Sequence, residues 1–370
     1  MNLSYWEYKT WLSNIDFTIV GSGIVGLNCA YHLRNKYPEA KILILEKGTL
    51  PQGASTKNAG FACFGSISEI VSDLKSHSEE EVQQLVKSRW EGIKLLRTTL
   101  GDSKIDFQQY GGHELFFQEQ SELFNECSEA LSNVNRLLRP VYGEDSYFFQ
   151  SNSFGFKKIH TKYISSPFEG QINTGTMMNS LLSLILKAGV TILNSIEVTS
   201  FNEHPGGVKV STNEFEFETR KLIIATNGFA AQLLDEDVKP ARAQVLITKP
   251  IKNLHIKGTF HLDEGFYYFR NIGNRILLGG GRNLDFATEE TSEFGQTEII
   301  QKRLVSMLRE IILPDINFEV EHRWSGIMGV GNTKKPIVKK LSDNLICGVR
   351  LGGMGIAIGS LVGKELAELA

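Results

Sequence analysis

Residues 16–46, DFTIVGSGIVGLNCAYHLRNKYPEAKILILE, contain a short β-rich run, a glycine turn, a helical stretch and a second apolar run that ends in an acid. In the helical stretch Leu27, Ala30, Tyr31 and Leu33 suit one face of a helix, and Pro38 ends it. The run KILIL is continuously apolar, as a strand buried on both faces of a parallel sheet must be. Together these elements predict a βαβ unit. Its turn carries Gly21, Ser22, Gly23, Ile24, Val25 and Gly26, and Glu46 stands 20 residues beyond Gly26. That is the spacing of a dinucleotide-binding turn in its structural context. Gly21 permits the tight turn, Gly23 lets backbone approach a pyrophosphate, and Gly26 lets helix and strand pack closely. The helix start offers free N–H groups and a partial positive charge to that pyrophosphate. Glu46 suits the hydroxyls of an adenosine ribose and repels a 2′-phosphate, so NADP is disfavoured.

Two further glycine clusters extend this pattern. After Glu46 and Lys47 comes EKGTLPQGASTKNAGFACFG, in which Gly53, Ala54, Ser55, Thr56, Asn58, Ala59 and Gly60, followed by Phe61, are mostly small or turn-forming. An amphipathic helix normally follows a second strand of this kind; here a flat group is expected to lie against bare backbone. Near the end, Gly348, Gly352, Gly353, Met354 and Gly355 precede an apolar helix from Ile356 to Leu369. A second helix N-terminus therefore opens on glycine, where N–H donors and the helix dipole can stabilise developing negative charge.

Composition narrows the classes. The 370 residues carry 39 Lys plus Arg against 42 Asp plus Glu, a net charge of -3, so no long-range positive field draws the chain to nucleic acid. Cys29, Cys63, Cys127 and Cys347 form no C-x-x-C pair, which argues for a reducing compartment and against a structural metal. The start, MNLSYWEYKTW, has no basic segment followed by an apolar run, and no stretch reaches the roughly 18 to 20 apolar residues of a membrane span. A soluble, cytoplasmic protein is expected, and segment 1–14, with Tyr5, Trp6, Tyr8 and Trp11 interspersed, is expected to lie against its body. Residues 68–135 read as amphipathic helices outside the sheet, with Val82, Leu85, Val86, Trp90, Ile93 and Leu96 at helical spacing. Residues 265–283 read as two strands joined at Asn271–Asn274, and 296–312 as another helix.

With these motifs in hand, the chain resembles the FAD-dependent D-amino acid oxidase (DAO) family, the group that includes glycine oxidase, sarcosine oxidase and γ-glutamylputrescine oxidase. GAS-x-x-NAG at 53–60 is similar to the family's stretch beside the ribityl chain and isoalloxazine ring. The likeness continues through LIIATNGFA (222–230), ARAQVLITKP (241–250), YYFRNIGNRILLGGG (267–281), HRWSGIMG and LICGVRLGGMG. It implies an α/β fold: a doubly wound, Rossmann-like FAD-binding domain from 15–75, 150–235 and 324–370, with an inserted antiparallel-sheet substrate domain from 76–149 and 236–323. It also implies a backbone contact from Val198 to adenine, and a turn at Ala225, Thr226 and Asn227 near the pyrophosphate. The implied reaction is oxidation of a C–N bond in an amine or amino acid, by hydride loss from the α-carbon to flavin N5 and hydrolysis of the imine. Oxygen or an electron-carrier protein would reoxidise the flavin.

Tyr267, Tyr268 and Arg270, in one strand, and Arg350 are the candidates for positioning substrate, Tyr267 matching the place where the resemblance puts a substrate-facing tyrosine; an arginine can pair with a carboxylate through parallel hydrogen bonds. Departures from the family qualify the picture. Met328 stands where glycine oxidase has its carboxylate-binding arginine, and Leu277 where sarcosine oxidase has its oxygen-activating lysine. The cysteine that tethers flavin in sarcosine oxidase has no counterpart, so non-covalent FAD is expected, with Cys63 and Cys347 as the thiols to watch. The rival readings are a flavin-dependent dehydrogenase of a hydroxy acid, and an RNA-modifying or non-catalytic flavoprotein.

Overall fold

A computed structural model describes residues 3–370. In chain order its main elements are β1 (Ile15–Val20), α1 (Ile24–Lys36), β2 (Ile42–Glu46), α2 (Ile67–Leu74), α3 (Glu79–Leu100), β3 (Gly112–Leu115), α4 (Ser121–Tyr142) and β4 (Lys162–Ser166). There follow α5 (Thr174–Lys187), β5 (Thr191–Asn194), β6 (Glu216–Ile224), β7 (Lys239–Thr248), β8 (Thr259–Leu262), β9 (Tyr267–Ile272) and β10 (Arg275–Gly280). The chain closes with α6 (Glu298–Met307), β11 (Val320–Val330), β12 (Ile337–Lys340), β13 (Leu345–Val349) and α7 (Gly355–Leu369).

The βαβ unit forms as its sequence demands, and it seeds the first sheet. Strands β5, β2, β1, β6 and β13 pair in parallel in that order, and β12 joins antiparallel at the edge. Every residue of β2 and of β13 is buried, because both faces of the sheet are covered. On one face Ile19, Leu27, Leu96, Met177 and Ile358 join a single core contributed by α1, α3, α5 and α7. On the other, Val20, Leu43, Val208 and Phe217 form a core under the hairpin Val198–His204 and Gly207–Thr212. Contact at the turn is very close: a Cβ on Gly26 would sit 2.0 Å from the Gly21 carbonyl oxygen.

The second sheet runs β11, β7, β10, β9, β8, β3, β4 and then Phe148–Ser151, antiparallel except where β8 meets β3. One of its faces packs Phe260 and Phe269, rings stacked 4.5 Å apart, against Ile300 and Leu304 of α6. The opposite face meets the glycine-rich loop after β2 through Ala59, Val245 and Leu277, with Tyr268 against them. Two sheets and one loop therefore enclose the space between them. Over this space lie α2, α3 and α4, held together by Phe64, Ile70, Val86, Val134 and Leu138. Capping boxes start α2 and α3, at Ser66 with Glu69 and at Ser78 with Glu81.

The fold adds detail to three expectations. In segment 3–14 Tyr5 and Trp6 are 66% and 75% exposed, and the segment lies against the body through Leu3 and Leu12, which join the core under the hairpin, and through the Thr10 and Ser13 carbonyls, which accept from Lys41 Nζ, rather than through its aromatic rings. The hairpin of β9 and β10 turns at Gly273–Asn274, one pair tighter than read, since Ile272 still pairs with Arg275. β4 and the whole of β11 belong to the second sheet. A period of two identifies a strand without naming its partner.

Gly26→Ala must push backbone against backbone, so urea unfolding should show stability lowered by about 1–3 kcal/mol, together with weaker cofactor retention. Unchanged stability would contradict the close approach of α1 to the turn.

Candidate active site

A cavity of about 1170 Å³ lies between the sheets, large enough for an extended ligand. Its lining includes Gly21, Gly23, Ile24, Val25, Glu46, Lys47 and Val198 at one end, and Ala225, Thr226 and Asn227 beside them. Glu46 is buried, and its carboxylate accepts hydrogen bonds from Ser22 N at 3.0 Å and Ser22 Oγ at 2.7 Å. The acid and the glycine turn are thus locked together. Its other oxygen accepts from Gly48 N at 3.0 Å and more loosely from Gln52 N at 3.4 Å, so each carboxylate oxygen already receives two hydrogen bonds from the chain. Lys47 pairs with Glu197 at 2.5 Å on the surface side.

The loop after β2 presents backbone because its side chains hold it in shape. Asn58 Nδ2 donates to the carbonyls of Ala54 and Ser55, while its Oδ1 accepts from Gly60 N at 2.8 Å and Thr174 Oγ1 at 2.9 Å. Ser55 Oγ accepts from Ile24 N at 2.9 Å, bridging loop and helix start. Thr56 instead turns its hydroxyl to the Pro51 and Gly53 carbonyls and does not line the cavity. Ser55, Asn58, Ala59, Gly60 and Phe61 do line it.

At the C-terminal turn Gly352, Gly353, Met354 and Gly355 line the same cavity, and α7 begins there without a capping side chain. Asn227, at φ 47°, accepts from Leu351 N at 3.0 Å and fastens this turn to the end of β6. Thr226 Oγ1 is buried without a hydrogen-bond partner. Two helix N-termini, a bare loop and an orphaned hydroxyl on one cavity fit a dinucleotide that carries a flat ring. Gly26 and Gly348 lie off the lining. Gly26 serves helix packing, and a Cβ on Gly348 would meet Leu366 Cδ1 at 2.6 Å, so its smallness admits α7 rather than a ligand.

The four positioning candidates are redistributed. Alternation along β9 turns Tyr268 to the cavity and Tyr267 away, into the core with Phe260 and Ile300. Burial pushes the Tyr268 phenol up to about 12, so it keeps its proton at neutral pH. Arg270 neither lines the cavity nor faces solvent: its guanidinium is buried and donates to the carbonyls of Ala59, Ile172 and Asn271. Burial brings its pKa down to about 10. It clamps the glycine-rich loop from behind. Arg350 lines the cavity, but its Nε donates to Lys335 O, Nη1 to Asp237 O and Oδ2, and Nη2 to Thr333 Oγ1 and Lys335 O. A guanidinium has five N–H groups, and all are engaged within the chain.

Other lining residues belong to no motif: His261, Glu69, Arg89, Glu264 and Phe266. His261 sits 3.1 Å from Glu169, edge-on to Phe61 at 5.3 Å. Burial opposes its charge, yet Glu169, helped by Glu69 and Glu114, lifts it to about 9. Beside it, burial and the His261 charge bring His113 down to about 4. Glu114 is raised to about 7 by burial, against hydrogen bonds from Ser68. Cys63 also lines the cavity, its thiol pushed well above the ordinary value, first by burial and then by Glu169 and Glu69. Among the described residues no cluster of three or more His, Cys, Asp or Glu is arranged to hold a metal, and no helix is long and apolar enough to cross a membrane.

Comparison with known proteins extends this geometry. Residues 16–369 match the DAO family, described as FAD dependent oxidoreductase. Probable oxidoreductase OrdL of Haemophilus influenzae is 21% identical over 97% of this chain and 83% of its own length. Gamma-glutamylputrescine oxidoreductase of Escherichia coli is 21% identical over 96% of this chain and 83% of its own. The crystal structure of glycine oxidase from Geobacillus kaustophilus superposes with a TM-score of 0.76 at 21% identity, covering 96% of this chain and 94% of its own.

The raised His261 contributes stability that is whole below about 6.5 and lost as pH rises through about 9. The raised Glu114 acts with the same sign between about 4.5 and 7, and the lowered His113 with the opposite sign between about 4 and 6.5, so these two largely offset. Urea unfolding should therefore show stability falling by about 3 kcal/mol across the His261 window. His261→Gln should flatten that upper step. A wild-type curve that rises across the upper window would contradict the assignment.

Proposed function

The chain belongs to the DAO family of FAD-dependent oxidoreductases, and on that footing we propose that it oxidises the C–N bond of an amine or amino acid. When bound, FAD supplies the two-electron oxidant. The observation that carries the proposal is the wall formed by Phe61, Tyr268 and His261. Phe61 meets the other two rings edge-on, at 5.6 Å and 5.3 Å, directly beside the loop that presents bare backbone. This wall shapes and orients a substrate and supplies no nucleophile. Tyr268 offers a protonated hydroxyl and His261 a cation, while Glu69 and Glu264 line the same pole with acids. Such a pole suits a molecule bearing both an amine and an anion. The names of two relatives, one an oxidoreductase of gamma-glutamylputrescine and one an oxidase of glycine, support an amino compound.

We read the FAD as untethered. Cys63 is protonated at neutral pH, and Cys347, raised to about 11 first by burial, lies off the cavity lining. Val198, Thr226, Asn227 and the turn Gly21–Val25 are read as the adenosine and pyrophosphate side, and Ala59–Phe61 with Gly352–Gly355 as the ring side. Leu277 is buried with Ala59 and Val245, so no lysine charge stands there to favour oxygen; an electron carrier is our preferred acceptor.

Anaerobic mixing with primary amines, secondary amines and amino acids, followed at the flavin band near about 450 nm, should bleach the cofactor with an amino compound and not with its hydroxy analogue. Bleaching by hydroxy acids alone would overturn the proposal. Tyr268→Phe should slow bleaching by about tenfold or more, and Tyr267→Phe should leave it within about twofold.

A further inference from the structure

Arg89 belongs to none of the motifs, yet it occupies a core position. On α3 it falls on the same helical stripe as Val82, Val86, Ile93 and Leu96, all buried, and it is itself only 3% exposed. A buried guanidinium needs acceptors for its N–H groups. Nη1 donates to Phe64 O at 2.8 Å. Nε has no partner, and no carboxylate forms an ion pair with Arg89 among the described residues. Tyr142, packed between Phe64 and Trp90 at 4.8 Å and 5.1 Å, is a second buried donor without a partner. The side chain of Arg89 lines the cavity at the pole that also holds Glu69 and His261.

The other arginines do not supply an anion site at that depth. All five N–H groups of Arg350 are engaged, and Arg270 is off the lining. Arg282 is half-buried and stacks on Phe286 at 4.7 Å. Met328, which also lines the cavity, is apolar. Nε is enclosed, but Nη2 has no hydrogen-bond partner among the described residues and Nη1 keeps a second N–H; a planar Nη1–Nη2 fork at a cavity wall matches a carboxylate, which accepts two parallel N–H bonds. We infer that Arg89 binds the carboxylate of the substrate. The inference rests on the amine-oxidising reading and names the second group that its substrate carries.

The test needs binding rather than turnover. Benzoate and benzamide, equal in shape and different in charge, are titrated into the FAD-loaded protein and followed by the perturbation of the flavin spectrum. Wild type should prefer benzoate by about tenfold or more, and Arg89→Met should weaken benzoate by about ten- to hundredfold with benzamide unchanged. Arg282→Met should keep the wild-type preference. Equal loss of both ligands in R89M, or benzoate binding as tight as in wild type, overturns the inference. If R89M does not retain FAD, Arg89→Lys decides: a lower benzoate to benzamide ratio supports a bidentate site, and an unchanged ratio overturns it. A shifted flavin reduction potential with an unchanged ratio would place the guanidinium against the flavin and also overturn it. An amine that bleaches the flavin alongside a failed discrimination leaves the proposed reaction standing; Arg89-dependent discrimination without bleaching by any amine does the reverse.

Discussion

Backbone N–H groups at helix starts demand partners, and in this protein two such starts face one cavity. The first, at α1, meets Ser55 Oγ from the neighbouring loop; the second, at α7, has no side-chain cap at all. Neither is satisfied by its own cap residue. What keeps them aimed inward is a pair of side-chain locks, Glu46 on Ser22 and Asn227 on Leu351 N. With both in place the cavity has two positive ends, which the proposed reading assigns to a pyrophosphate and to the ring of a flavin.

The second sheet completes what the first begins. Its outer face is a hydrophobic core with α6, which leaves the inner face free to carry Tyr268 and the apolar patch of Ala59, Val245 and Leu277. Arg270 ties that face to the glycine-rich loop through carbonyl oxygens alone. A charged side chain is thus used as a structural clamp a few ångströms behind backbone that must stay bare. The cost of burying it is visible in its lowered pKa, and the gain is a loop that needs no bulky side chain to hold its course.

Much of this was legible from residues 16–65 because glycine spacing and strand length carry geometry directly. The βαβ unit and the bare loop follow from them. The roles of Tyr267, Arg270, Gly26, Gly348 and Arg350 were not legible to the same degree. Which face of β9 meets the cavity depends on its sheet partners, so Tyr268 rather than Tyr267 lines it. Arg350 sits among glycines in sequence, but Asp237, Thr333 and Lys335, distant along the chain, consume its donors. His261 had no local signal, since Glu169 reaches it only through folding. Arg89 did have one: a lone charge on an otherwise apolar helical stripe.

The central claim is that this cavity holds one FAD by contacts that are strong and not covalent. Acid denaturation of the purified protein, with mass and stoichiometry of the released cofactor measured, tests it most directly. The account predicts one free FAD per chain and an unmodified polypeptide. A released nicotinamide dinucleotide, or flavin that remains attached to a peptide containing Cys63 or Cys347, would contradict it.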